Sequence, residues 1–229
     1  MPNTHIFSSE SVTEGHPDKV CDTISDAVLD ACFEQDVTSR VACETMVKDN
    51  AVILGGEITT SADFDYRAVV KKTLSEMNYD SSYSDGTEYS YSCKFDAQNF
   101  FFMNRLGQQS PDIAQGVDAS SALDKETDEQ GAGDQGIMFG YAVDETNELM
   151  PAPILYSHKI LEVLAAARKS GVEKDLGPDS KSQLTVKYRN DAPVGISCVV
   201  LSTQHVNPSL TSSDIRSVVE PYIIDVLPD

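Results

Sequence analysis

From Pro17 onward, Val20, Ile24, Val28, Ala31 and Cys32 recur at the spacing of a helix face, which predicts a helix reaching about Asp36. Pro17 suits the first turn of such a helix, where a missing N–H costs no intrahelical bond. The pattern then changes. Arg40 to Val47 and Ala51 to Thr60 are β-rich and flank the turn-forming cluster Lys48-Asp49-Asn50, so they predict a hairpin. Asp65 to Met77 returns to the helical spacing, with Val69, Val70, Leu74 and Met77 on one side. After a polar stretch rich in Tyr and Ser, Asn99 to Met103 predicts a strand.

The order then begins again. Ile137 to Val143 predicts a strand and Pro153 to Lys169 an amphipathic helix bearing Leu155, Leu161 and Leu164. A second hairpin is predicted from Gln183 to Arg189 and Gly195 to Gln204, turning at Asn190-Asp191-Ala192-Pro193. A last helix runs from about Thr211 to Val226, with Ser212, Ser213 or Asp214 as its cap. Helix, hairpin and helix occurring twice predict two related α+β layers, each a sheet covered on one face by its helices. By that pattern a strand should follow Val226, but the sequence stops at Asp229.

Composition fits a globular chain long enough to bury a sizeable core, with 229 residues, 40% hydrophobic and 24% charged. Charge changes the picture more. Lys and Arg number 17 against 37 Asp and Glu, a net −20 that repels a nucleic-acid backbone. The same imbalance means that any polyphosphate ligand must draw its positive charge partly from metal ions or from elsewhere. Five scattered cysteines without a CxxC pair argue against a disulfide framework or a zinc site and fit a reducing cytoplasm. Residues 1–12 lack the pattern of a signal peptide, and no apolar run reaches membrane-spanning length.

The candidate chemistry lies in short segments. Ser9 to Lys19 places Glu10, Glu14, His16, Asp18 and Lys19 around one helix start, where backbone amides favour anions. There Asp18 suits a hard divalent cation, and His16 could stabilise charge on a leaving oxygen. Taken alone, so short a pattern is more often a helix cap with a surface histidine. Gly55-Gly56-Glu57 sets a carboxylate beside two glycines in a strand, a partner for an amino group or simply a bulge facing solvent. Glu44 interrupts a mostly apolar strand, so it is paired, bound to a cation, or turned outward. Gly131 to Gly136 could line a ligand but lacks the lysine of a P-loop. In Pro178 to Gln183, Lys181 could reach a phosphate and Asp179 a nucleoside, or the segment is a solvated turn.

Together and in order, these segments resemble the methionine adenosyltransferase (S-adenosylmethionine synthetase) family over nearly the whole chain. The resemblance includes Ile24 to Ala27, Ala42 to Thr45, Gln109 to Ile113, Met138 to Tyr141, Met150-Pro151 and Ser202 to His205. It implies an enzyme that joins methionine to ATP: sulfur attacks C5′, tripolyphosphate leaves and is then hydrolysed. By carry-over His16 and Lys181 are catalytic, and ATP meets His16, Asp179, Ser180 and Lys181. Methionine meets Glu57, Gln109 and Asp134. Asp18 and Glu10 hold Mg²⁺, and Glu44 holds K⁺.

The implied fold is α+β, two of three similar intertwined β-α-β-β-α-β domains with the third absent from this chain. The expected boundaries are 1–120 and 121–229, with a mobile loop at about 109–119 over the site. Family sites lie between subunits of a homodimer or dimer of dimers, so an incomplete portion of an active enzyme is expected. The alternative is a binding or regulatory subunit acting with a complete chain; an unrelated nucleotide hydrolase is a more remote one. The sequence departs from the family in the Tyr/Ser- and Phe-rich stretch between Asn78 and Leu106. It departs again at Gly177, where an arginine is common, and in having no tryptophan.

Overall fold

The computed structural model describes residues 3–79, 95–110, 136–207 and 209–228. Its elements are β1 (Thr4–Val12), α1 (Pro17–Gln35), β2 (Arg40–Lys48), β3 (Ala51–Thr59), α2 (Tyr66–Glu76), β4 (Phe101–Gly107), α3 (Ala152–Lys169), β5 (Leu176–Arg189), β6 (Ala192–His205) and α4 (Ser212–Val226). They build two three-stranded sheets, ordered β1-β5-β6 and β2-β3-β4. Two compact units interleave along the chain. One is drawn from Met1–Val20, Leu74–Gln98 and Gly140–Asp229, the other from Cys21–Thr73 and Asn99–Phe139.

In the first of these units, β1 lies antiparallel to β5 from Thr4↔Arg189 to Val12↔Lys181, and β6 returns antiparallel on the far side of β5. Alternation along β5 turns Leu184, Val186 and Tyr188 to one face, where Ile160 and Leu164 of α3 and Val219 of α4 meet them. Ile160 and Leu184 are fully buried, each stabilising the unit by roughly 1.5–3 kcal/mol. Polar contacts fix α3 against β1: Ser157 donates to the Ser9 carbonyl at 3.2 Å, and the Ser11 hydroxyl lies 2.6 Å from His158 Nδ1.

In the other unit, β2 and β3 pair from Arg40↔Thr59 to Lys48↔Ala51, and β4 adds parallel to β3. Asp49, at φ 51°, supplies the left-handed residue of the tight turn. One sheet face is buried with Val52, Leu54 and Ile58, while α1 contributes Ile24, Val28 and Cys32 to the core. Ser25 of α1 meets Thr45 of β2 at 2.8 Å. The opposite face is open, with Met46 56% and Phe101 57% exposed.

The predicted helices and hairpins are present, but several expectations change. Residues 4–12 form β1, which polar alternation too weak to read had hidden. The strand expected at Ile137 to Val143 is irregular backbone with Ile137, Met138 and Phe139 at least 80% exposed, since no described strand pairs with it. The strand expected over Asn99–Met103 is displaced to Phe101–Gly107, where it follows the register of β3. β5 starts at Leu176 rather than Gln183 because the Gly177-Pro178 pair is taken up as a register shift between Leu176 and Ser180 instead of ending the strand. The cap of α4 is Thr211, whose side chain accepts from the Asp214 backbone N–H.

Candidate active site

The segment before α1 is held against β5 by Thr13. Its hydroxyl donates to the Pro178 carbonyl at 2.7 Å and accepts from the Ser180 backbone N–H at 2.7 Å, and its own backbone N–H donates to the Ser180 carbonyl at 2.9 Å. Gly15 follows, so close to Pro178 that an added Cβ would stand 2.4 Å from the Pro178 carbonyl carbon and oxygen. Only glycine permits that approach. The chain then turns through a bond from the His16 N–H to the Thr13 carbonyl and enters α1.

These constraints bring His16 near enough to Asp179 for its charge to act on it. Burial pushes the Asp179 carboxyl up from its usual range, and the proximity of His16 opposes that rise. The Asp18 backbone N–H donates to His16 Nδ1 at 3.3 Å, and the Asp18 carboxylate, 89% exposed, lies 4.0 Å from the same nitrogen. Lys181 stands opposite Val12 and reaches diagonally to Glu10, Nζ to Oε2 at 2.9 Å. With both side chains about half exposed, such a pair is worth only about 0.2–1 kcal/mol, so Lys181 can leave it for a phosphate at little cost. Ser180 is buried and its hydroxyl is engaged by Thr203 at 2.6 Å. Asp179, Ser180 and Lys181 are thus consecutive on β5, Glu10 is paired to Lys181 from β1, and the Thr13 tie brings the helix start with His16 and Asp18 to the same end of the strand.

The remaining candidates belong to the other unit. Glu44, across from Gly55, and Glu57, across from Ala42, share the open face of the sheet, both exposed. Gly56 between them has φ 109°, and a Cβ there would stand 2.0 Å from the Ala42 carbonyl oxygen. The paired glycines therefore mark a backbone approach within the hairpin as well as a bare surface at Gly55, where a Cβ would meet nothing within 4 Å. Gln109 follows β4, and its side-chain oxygen accepts from Arg40 Nε at 3.1 Å. Asp134, residues 131–135 and positions 111–119 of the expected loop lie outside the described residues.

Among the described residues no group of three or more His, Cys, Asp or Glu side chains is placed to hold a metal ion by itself. Asp18 nevertheless fits Mg²⁺, which takes one or two carboxylates and fills its shell with water and phosphate oxygens. Glu10 fits it only once released by Lys181. Glu44 presents a single exposed carboxylate, a donor suited to a hard cation.

Residues 4–111 match the S-adenosylmethionine synthetase N-terminal domain, and residues 129–229 match the central domain of the same enzyme. The protein named S-adenosylmethionine synthase from Ruegeria pomeroyi is 53% identical over 225 residues, which is 98% of this chain and 55% of that protein. The chain belongs to the S-adenosylmethionine synthetase family. S-adenosylmethionine synthases of Akkermansia muciniphila, 52% identical over 225 residues, and of a Jannaschia species, 50% identical over 235, match 98% and 99% of the chain. The chain spans about half the length of the curated relatives it matches, at 55% and 56% of these two. None of its described helices is long and apolar enough to cross a membrane.

Some contacts that shape the His16 region escaped the reading of single motifs. Glu14 is ion-paired with Arg168 and, at 3.1 Å, with Lys169, and the Tyr79 hydroxyl donates to the Gly15 carbonyl. One signal was available. Arg168 continues the stripe of Leu161 and Leu164 on α3, and an arginine on the buried stripe of a helix must have a partner. Nothing local in the sequence points to Tyr79.

Proposed function

We propose that this chain supplies the substrate-binding surface of a methionine adenosyltransferase, with ATP and L-methionine as substrates. The observation that carries it is the Thr13 tie to Pro178 and Ser180, which brings the helix start carrying His16 to the part of β5 that carries Asp179 and Lys181. In this reaction the methionine sulfur forms a bond to C5′ and becomes a sulfonium. The C5′–O bond breaks, and its electron pair leaves on the tripolyphosphate, which water then splits to pyrophosphate and phosphate.

His16 would donate to the departing oxygen, Lys181 would exchange Glu10 for a phosphate, and Asp179 and Ser180 would hold the nucleoside side. Glu57 would accept from the methionine ammonium, with Gln109, oriented by Arg40, and Asp134 completing that subsite. Mg²⁺ at Asp18 and Glu10 and K⁺ at Glu44 would neutralise phosphate charge. That suits a chain with so few cations of its own. A cytoplasmic homodimer or dimer of dimers, with sites shared between subunits, and domains meeting near residue 120 complete this reading.

A second reading, a binding or regulatory subunit that acts with a complete family chain, is favoured by the charge of −20. Incubation with ATP, methionine, Mg²⁺ and K⁺ separates them: steady S-adenosylmethionine formation by the chain alone excludes the second reading. Under the first reading, His16→Ala in a complete version of the enzyme should lower turnover by about a hundredfold or more, as for loss of one donor to a developing oxyanion, while far-UV circular dichroism stays unchanged. Near-normal turnover in that variant removes His16 from the role.

A further inference from the structure

Arg168 is the most deeply buried charged side chain described, at 3% exposure, on the last turn of α3. A guanidinium so placed is tolerated only if its donors are satisfied. One terminal nitrogen is ion-paired to Glu14 Oε1, and the other donates to Asn78 Oδ1 at 3.1 Å. Lys169 meets the same Glu14 oxygen from the more exposed side at 3.1 Å. The fork of Arg168 therefore ties α3 to two points at once, which a lysine ammonium on a flexible stem does not reproduce.

Glu14 stands two residues before His16, and the stretch between them has no slack. Thr13 is bonded to Pro178 and Ser180, Gly15 is pressed against Pro178, and the Gly15 carbonyl accepts from Tyr79. A shift of Glu14 would reach His16 through the single residue Gly15. We propose that Arg168 is a positioning residue for His16, acting through Glu14, with Asn78 holding the other arm of its fork. Its catalytic consequence rests on the reading of His16 given above, but the positional claim does not.

The test uses Arg168→Lys and Glu14→Gln in the full chain, each first shown to unfold cooperatively on heating. The chain has four histidines, His5, His16, His158 and His205, so ring signals of histidine-labelled protein can be assigned one by one by NMR. Both variants should displace the His16 ring signals and leave those of His5 and His205 in place. A merely structural role would lower the unfolding temperature and leave the folded-state His16 signals where they are. Under conditions where the wild-type chain, alone or with a complete family chain, forms S-adenosylmethionine, Arg168→Lys should lower kcat about ten- to a hundredfold, the scale of a displaced catalytic group. KM for ATP should change little, and the double variant should be no worse than the poorer single one. Unmoved His16 signals in both folded variants overturn the proposal, whereas displaced signals with an unchanged kcat overturn the catalytic reading of His16. Absence of product from the wild type counts against the parent reading only, and the NMR result still decides the position of His16.

Discussion

Asp36 ends α1 by collecting hydrogen bonds. Its Oδ1 accepts from the Thr38 N–H at 3.0 Å and the Thr38 hydroxyl at 2.7 Å, and its Oδ2 accepts from the Ser61 N–H at 2.8 Å and the Ser61 hydroxyl at 3.0 Å. The Thr38 hydroxyl bond, then the backbone N–H groups of Ser61 and Thr38, hold this carboxyl well below the usual carboxylate range. A carboxyl depressed in the folded state contributes stability above its unfolded pKa of about 4 and loses it as pH falls below that value. Asp36→Asn should therefore flatten the acid limb of the unfolding free energy below about pH 4, measured by urea titration at several pH values. An acid limb parallel to wild type would show that Asp36 carries none of it. The Asp36–Thr38 half of this arrangement is legible in sequence as a local turn. The Ser61 half is not, because it depends on where β3 ends. The same contrast separates two ion pairs: Lys181–Glu10 is exposed and worth about 0.2–1 kcal/mol, whereas removing Glu14 would leave the buried Arg168 guanidinium short of a partner and cost more.

Among the elements, α4 shows which signals end a helix and which do not. Thr211 and Asp214 form a reciprocal capping box, each side chain bonded to the other's backbone N–H. Thr211→Ala should cost about 0.5–2 kcal/mol of unfolding free energy, read from chemical denaturation; no change would mean that Asp214 alone caps the helix. Pro221 lies inside α4 without ending it. The proline gives up one intrahelical bond, but Ile215, Val218, Val219, Tyr222, Ile223 and Val226 on both sides of it pack on the same core. Packing also explains β1. Its sequence reads as polar, yet it forms because β5 offers a free edge along its whole length, and Ser8 and Thr185 join their hydroxyls across the pair at 2.8 Å.

The molecule as a whole is not assembled in chain order. β1, from the first dozen residues, is an edge of the sheet whose other strands come after residue 175. The Asn78 and Glu14 partners of Arg168 come from two further places in the sequence. A piece comprising residues 140–229 alone would leave the β5 edge unpaired and strip the buried guanidinium of both partners. It should show no cooperative thermal unfolding, whereas the 229-residue chain should; a sharp transition from the piece would mean that β1 is dispensable.

Periodicity determined where the helices and hairpins lie, because those patterns are set within a few residues of each other. Segment composition also placed His16, Asp179 and Lys181 among the candidates and, through the joint resemblance, pointed to the family to which the chain belongs. Tertiary structure decided the rest: that residues 4–12 are a strand, that Gly177 and Pro178 continue one, and that Ile137 to Val143 stays irregular. It also decided that His16 comes near Asp179 and that Arg168 is paired with Glu14. Each of these depends on a partner outside its own stretch of sequence or on the lack of a described one, which no local pattern records.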